Sequence, residues 1–373
     1  MSTRSTAVII GGGIIGASIA WALTKRGIDC TVLDKGAFCA EASTASAGML
    51  CPQAEMLDNV QHLQVFAKSQ AMHRPWTEEL EQQSQIPVQY IQEGMYRVVF
   101  TEAEERTARA ALAHAPATVE WLSAAEVLGD EPDISHDIRG AISFPLDGQL
   151  HPVYLAKSFK AALIRVGCKL VEWTPVLGLL VNGGRVYGAR TAAGEFHADY
   201  TVIASGAWSS QFLAPFDFSL PIFPVKGQML AVRHPGLSLR HTVQGPGGMI
   251  IPRSDGTFTI GVTHEETGYD KRATVEGLVQ SYQSVSRFIP KVSEATFAKT
   301  WAGLRPGTPD GLPFIGPIAG IEGLLVAAGH YTVGILLAPI TGEVIAQMIT
   351  QEPLCVDVDA FRPDRFHDAT AYH

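Results

Sequence analysis

The stretch Val8–Ser18, VIIGGGIIGAS, decides how the rest of the chain is read. Val8–Ile10 has the branched apolar character of a short buried strand. From Ile14 the pattern IIGASIAWALTKRG suits a helix that stops at Gly27. The glycines fall in the turn between them, with Gly11, Gly13 and Gly16 at the G-x-G-x-x-G spacing of a dinucleotide site. The first permits the tight turn, the second lets a pyrophosphate approach the backbone, and the third brings helix and strand together. The helix N-terminus supplies N–H donors and positive potential. Spacing alone also arises from simple packing. The continuation is more specific, because Cys30–Leu33 (CTVL) reads as a second buried strand ending at Asp34. An acid at this offset accepts hydrogen bonds from a ribose diol, so the unit predicts an adenosine diphosphate moiety. Nicotinamide and flavin both remain open at this point.

The 373 residues suffice for two domains, or for one domain with large insertions. A composition 46% hydrophobic and 17% charged fits an ordinary globular protein. The net charge of -9 and the lack of a Lys/Arg run argue against nucleic-acid binding. The cysteines at 30, 39, 51, 168 and 355 form no C-x-x-C pair, which fits core thiols in a reducing, cytoplasmic compartment rather than a disulfide framework or a metal site. Ala7–Leu23 is apolar between basic flanks. It is nevertheless short for a membrane span and rich in glycine, so the strand–turn–helix reading is preferred and no membrane association is expected.

Further along, Ala40–Leu50 reads as a small-residue loop suited to close approach of a flat ligand. Pro75–Ser84 reads as a helix and Gly94–Phe100 as a strand. His151-Pro152 opens a helix with an apolar stripe at Leu155, Phe159, Leu163 and Val166. A meander of Leu177–Val181, Arg185–Arg190 and Phe196–His197 follows, and then a separate buried strand in Tyr200–Ser209 ending at Ser205-Gly206. Residues 221–302 alternate strand-like runs with turns and predict a mostly antiparallel sheet. Gly323–His330 is again a buried strand, leading into a helix from Thr332. Doubly wound strands therefore come from the start, middle and end of the chain. Such an interrupted nucleotide domain favours extended FAD over nicotinamide.

The runs AVIIGGGIIGASIA, ASAGML, WTPV, VIASGAWS, FPVKGQML, WAGLRPGTPDGLPFIG and AAGHYTVGILLAPITG occur in this order along the chain. Together they resemble the flavin-dependent amine oxidases of the D-amino-acid oxidase superfamily, and within it the glycine oxidases most. The resemblance implies an α/β fold with an interrupted Rossmann-type FAD-binding domain (1–85, 147–215 and 303–373) and a mostly antiparallel β-sheet substrate domain (86–146 and 216–302). It places Gly11, Gly13, Ile14, Ile15 and Gly16 at the pyrophosphate and Asp34-Lys35 at the ribose. Val176 contacts the adenine side through its backbone. Ala42, Ser43, Ala47, Gly48, Met49 and Gly206 line the cofactor, and His330, Tyr331, Thr332, Val333, Gly334, Ile335 and Leu336 wrap the far edge of the isoalloxazine. A helix N-terminus there would stabilise negative charge on the reduced ring. No cysteine lies between 169 and 354, so the FAD is expected to be held non-covalently.

Arg305 is implied to fork onto a substrate carboxylate, a task guanidinium geometry suits. Met49 lies beside the same pocket. Met249 stands where the resemblance implies a tyrosine, Thr332 where it implies an arginine, and His264 where it implies a methionine. These departures predict a roomier, greasier pocket for glycine or an N-alkyl or N-carboxymethyl glycine. Oxidation of the Cα–N bond would release glyoxylate, amine and hydrogen peroxide, with molecular oxygen as acceptor. A D-amino-acid or sarcosine-type oxidase, or a dehydrogenase using another acceptor, is the alternative. His264 reads as an ordinary strand histidine, with a base or a second carboxylate ligand as its other roles. The resemblance also allows a homo-oligomer.

Overall fold

The computed structural model describes residues 3–58, 63–261 and 263–366. The chain begins with β1 (Thr3–Ile10), α1 (Ile14–Lys25), β2 (Cys30–Leu33), a single turn α2 (Ala42–Ala45), β3 (Met49–Leu50), α3 (Pro52–Asp58) and α4 (Leu63–Ser84). Next come β4 (Met95–Val99), α5 (Glu102–Ala111), β5 (Glu120–Ser123), α6 (Ala124–Asp130), β6 (Gly140–Phe144) and β7 (Gly148–Gln149). The middle holds α7 (Pro152–Arg165), β8 (Lys169–Val171), β9 (Val176–Asn182), β10 (Arg185–Thr191) and β11 (Gly194–Ile203). After it run β12 (Phe223–Arg233), β13 (Thr242–Gly245), β14 (Gly248–Pro252), β15 (Phe258–Gly261), α8 (Val275–Ser286), β16 (Thr296–Gly307), β17 (Phe314–Pro317), β18 (Leu324–Ala328) and α9 (Gly334–Thr350).

One sheet has the order β17-β18-β11-β1-β2-β8, with β10 and β9 extending from β11. β1 lies parallel to β2 on one side and to β11 on the other. The chain therefore leaves β1 in one direction and returns on its opposite side, which opens a crevice at the carboxyl ends of β1 and β11, where doubly wound sheets bind ligands. α1 and α9 cover one face so closely that a Cβ on Gly342 would overlap the Ser18 carbonyl. That contact explains a glycine in the middle of a helix.

The second sheet has the order β16-β12-β15-β14-β13-β4-β6-β5. Neighbouring strands in it run antiparallel, except that β13 lies parallel to β4. Strand periodicity divides its residues between two faces. Tyr96, Val98, Val243, Ile250, Leu230 and Ile260 pack into a core with Val285 and Phe288 at the end of α8. Their neighbours Met95, Arg97, Gln244, Met249, Gly227 and Met229 face the opposite way, toward the carboxyl edge of the first sheet.

Four local expectations change. The Ala40–Leu50 segment is not an open loop, because it contains the turn α2 and the strand β3. The helix expected from Pro75 begins at Leu63 and runs through the proline. Thr77 Oγ1 bonds the His73 and Arg74 carbonyls, and Trp76 packs edge-on to Phe159 with ring centroids 5.0 Å apart. These contacts outweigh the proline's usual preference for a first turn. Phe196–His197 and the strand expected from Tyr200 are one element, β11. Its first half closes the meander on β10, and Thr201–Ile203 lie between β1 and β18. His264 is not in a strand; it follows the end of β15 in irregular backbone.

Candidate active site

A cavity of about 460 Å³ runs from the crevice of the first sheet to the inward face of the second. At the crevice, Gly11 has φ +110°, and a Cβ there would strike the carbonyl of Ala204 at the end of β11. A Cβ on Gly16 would overlap the Gly11 carbonyl, so Gly16 sets the closeness of α1 and does not line the cavity. Gly13 caps α1 with no side-chain hydrogen bond, while the Ile14 N–H donates to Ser43 Oγ at 2.8 Å. Asp34 accepts from the Gly12 N–H at 2.7 Å and the Gly36 N–H at 2.8 Å. These bonds aim its carboxylate along the crevice. Burial pushes its pKa up, and the backbone donors oppose that shift. Bare glycine backbone, a helix N-terminus without an acidic cap and a fixed carboxylate together fit an adenosine diphosphate group.

Gly11, Gly13, Ile14, Ile15, Asp34, Lys35, Ala42, Ser43, Ala47, Gly48, Met49, Val176 and Gly206 all line this cavity. Lys35 does so with its ammonium stacked on the Trp208 ring, 3.1 Å from the centroid. At the other end of the crevice, His330, Tyr331, Thr332, Gly334 and Ile335 contribute, whereas Val333 and Leu336 do not. The His330 ring turns away to place Nε2 3.0 Å from Thr341 Oγ1, so this residue offers backbone to the cavity. Leu336 points into the core, and its carbonyl accepts from Ser69 Oγ and meets His73 Nε2. Tyr331 adopts φ +43° and is tied to Pro306 through its N–H.

Arg305 on β16 and its neighbours form the far wall. Its guanidinium lies across β12, directly over Gly227, and Nη1 donates to the Thr263 carbonyl at 3.3 Å. A Cβ at position 227 would stand 2.5 Å from Nη1 and 2.6 Å from Cζ. Among the described residues no carboxylate pairs with Arg305. Burial lowers its pKa, an effect the nearby Tyr331 opposes. His264 and Thr332 sit at the exposed mouth, with the His264 ring 6.2 Å from that of Tyr331. Partial desolvation against the cavity wall, and then the charge of Arg305, push the His264 pKa down. Met249, Met229, Met49 and Met95 give the wall an apolar surface.

Sequence reasoning missed four residues of this wall. Gly227 stands inside the strand-like FPVKGQML run, and its role depends on a side chain 78 positions away in sequence. Arg97 and Glu55 lie in segments with no motif, although both line the cavity. Gln244 Oε1 accepts from Arg97 Nε at 2.9 Å, which adds a polar pair to a wall expected to be greasy. A signal was available for Gly227, since a glycine inside an otherwise branched strand marks a close approach.

The model of the DAO family, described as FAD dependent oxidoreductase, matches residues 6–348. Glycine oxidase of Geobacillus kaustophilus is 33% identical over 370 residues, covering 97% of each chain. A crystal structure of glycine oxidase from Geobacillus kaustophilus superposes with a TM-score of 0.93 over 97% of this chain and 99% of that one, at 32% identity. Iminodiacetate oxidase from Chelativorans sp. BNC1 superposes with a TM-score of 0.86 at 27% identity, over 96% of this chain and 98% of that one. Among the described residues no helix is long and apolar enough to cross a membrane. With the glycine turn, the fixed acid and the crevice all agreeing with these likenesses, the chain belongs to the DAO family of FAD-dependent oxidoreductases.

Proposed function

We propose that this enzyme oxidises the Cα–N bond of glycine or of an N-alkyl or N-carboxymethyl glycine to the imine, with molecular oxygen as final acceptor. The observation that carries the reading is Arg305. Its guanidinium is half-buried in the cavity wall, with one backbone carbonyl as partner and no protein carboxylate among the described residues. A partly desolvated guanidinium in that state favours a bidentate carboxylate ligand. The names of two relatives, a glycine oxidase and an iminodiacetate oxidase, support the same substrate class.

FAD would be held by Gly11, Gly13, Ile14, Asp34 and the Ala47–Met49 segment, and when bound it supplies the acceptor for the hydride leaving Cα. Arg305 fixes the carboxylate and therefore the position of Cα. Gly227 leaves space for the guanidinium to lie flat. The lowered pKa of His264 favours its neutral form at the mouth. The methionines of β4, β12 and β14 exclude water from the reacting carbon. Hydrolysis of the substrate imine gives glyoxylate and the amine, and two electrons and two protons leave on oxygen as hydrogen peroxide.

We assign segments 1–85, 147–215 and 303–373 to the cofactor and 86–146 and 216–302 to the substrate. β16 runs unbroken across the 302/303 boundary, so Arg305 sits on a strand shared by both. The free cysteines support a cytoplasmic setting. The test is a panel of glycine, sarcosine, N-ethylglycine and bulky D-amino acids, read by anaerobic bleaching of the yellow holoenzyme and by peroxide after air is admitted. Bleaching by the glycines, abolished in Arg305→Leu, is the expected result. Reaction with bulky D-amino acids alone would refute the substrate class. Recovery of colour only with an added quinone would refute oxygen as the acceptor.

A further inference from the structure

The irregular segment between β15 and α8 is exposed at Glu266–Tyr269 and Lys271–Thr274, yet both of its ends are pinned to β12. At the first end Glu265 exchanges two backbone hydrogen bonds with Lys226, at 2.9 and 3.0 Å, and its carboxylate lies 2.8 Å from the buried Lys226 Nζ. The fully buried Gln228 serves both ends. Its Nε2 donates to Glu265 Oε1 at 2.7 Å and to Thr274 Oγ1 at 3.1 Å, while its Oε1 accepts from the Thr274 N–H at 2.7 Å. One buried amide thus holds the two feet together, and residues 266–273 leave the second sheet as an arch. The Asp270 N–H closes a turn on the Thr267 carbonyl, with Gly268 at φ +60° within it.

Away from its feet the arch reaches the first sheet's loops at two points. Tyr269 Oη donates to the Ala207 carbonyl at 3.0 Å, and its ring lies against that of Trp208 with centroids 5.4 Å apart. Lys271 Nζ donates to both oxygens of the Glu41 carboxylate, at 2.9 and 3.0 Å. Glu41, Ala207 and Trp208 all line the cavity, whereas Tyr269 and Lys271 do not. Glu41 follows β2 and Ala207 follows β11, and these strands flank β1 on opposite sides. The arch therefore joins the two banks of the cofactor crevice from outside. Lys35 adds a parallel link, because it follows β2 and stacks on the ring of Trp208.

We propose that residues 266–273 are a retaining strap for FAD, fastened by Tyr269 and Lys271, and that the cofactor leaves when this strap lifts. The inference concerns the cofactor site and is independent of which amine is oxidised. Exposed contacts of this kind add little to the stability of a fold. They matter more to local opening, because lifting the span breaks these contacts and leaves the buried feet in place. The rate of release should then follow the strength of each fastening.

The experiment measures FAD release from the holoenzyme as the rise in free-flavin fluorescence after dilution, with the melting temperature of the apoprotein as a second readout. Tyr269→Ala loses a hydrogen bond and a ring contact and should speed release about tenfold. Lys271→Gln should speed it about two- to fivefold, the range of an exposed ion pair, and Lys271→Arg should restore the parent rate. Apoprotein melting temperatures should match the parent. Tyr269→Phe, which loses the hydroxyl alone, keeps the test available if Tyr269→Ala does not fold, and it too should release FAD faster. Release unchanged in Lys271→Gln and in the Tyr269 variant would overturn the proposal. So would apoprotein melting temperatures that fall as far as those of the holoenzyme, since the segment would then be a tie within the fold.

Discussion

Gly227→Ala is a one-carbon test of the substrate anchor. The added Cβ would lie 2.5 Å from Arg305 Nη1 and 2.6 Å from Cζ, whereas ordinary contact begins near 3.4 Å. The guanidinium must therefore withdraw by about 1 Å. It can do so because it is the end of a flexible side chain, so the strand pairing of β12 with β16 should survive. The substrate then loses geometry. A hydrogen bond involving a charged group contributes about 1.5–3 kcal/mol, and a misplacement of 1 Å can cost about 100-fold in rate. Losing one arm of a bidentate pair therefore predicts a fall in kcat/KM of about 10- to 100-fold, carried by both KM and kcat. Stopped-flow flavin reduction by glycine or sarcosine measures it, with the visible spectrum and the melting temperature confirming that FAD and fold are retained. A folded, yellow variant with kcat/KM within twofold of the parent would refute the idea that Gly227 seats Arg305.

Asp34→Ala should weaken FAD retention by about tenfold, the effect of about 1.4 kcal/mol, as read by flavin released on gel filtration. Unchanged retention would remove Asp34 from the ribose. Arg253→Met should destabilise the fold by about 2 kcal/mol or more, because it leaves buried acceptors unpaired. That half-buried guanidinium bonds Gln149 Oε1, Thr259 Oγ1 and the carbonyls of Leu150 and Ala47, which ties the second sheet to the cofactor segment. A melting temperature unchanged from the parent would contradict this. Burial lifts the Asp147 carboxyl from 3.8 to about 7, so the folded chain holds that proton more tightly than the unfolded one. Stability should therefore fall as pH rises between those values, by up to about 1.4 kcal/mol per unit, and level off above pH 7. Urea unfolding of the parent and of Asp147→Asn from about pH 5 to pH 8 isolates this component. A stability difference that does not change with pH would rule Asp147 out as its source.

The sequence was most legible where function is carried by contiguous backbone. The Gly11–Gly16 turn, Asp34 and the Ala47–Met49 segment each do their work within a few residues of chain, and glycine and acid types mark them directly. Proline and glycine similarly fixed both ends of α7, whose first residue is Pro152 and beyond which Gly167 takes φ +82°. Legibility fell where tertiary packing overrode a local signal. Pro75 is a good first-turn residue, yet Trp76 and Leu80, both buried, hold α4 continuous through it. It fell furthest in the second sheet, because a strand face is assembled from residues distant in sequence. Arg97, Gln244, Met249 and Gly261 become one row only through register, and no segment containing any of them carries a motif.

This division has a physical origin. The cofactor end is built from main-chain donors and a helix terminus, which constrain residue type through backbone geometry. The substrate end is built from side chains projecting from β4, β12, β13, β14 and β16, where a strand needs only apolar alternation on its other face to keep its place in the core. The inward positions are consequently free to differ without cost to the fold, and Met249 on β14 is one such position. The proposed role of Arg305 then assigns substrate choice to the side chains of this one sheet face. Exchanging inward residues there should alter which amine is accepted while FAD retention and melting temperature stay close to the parent.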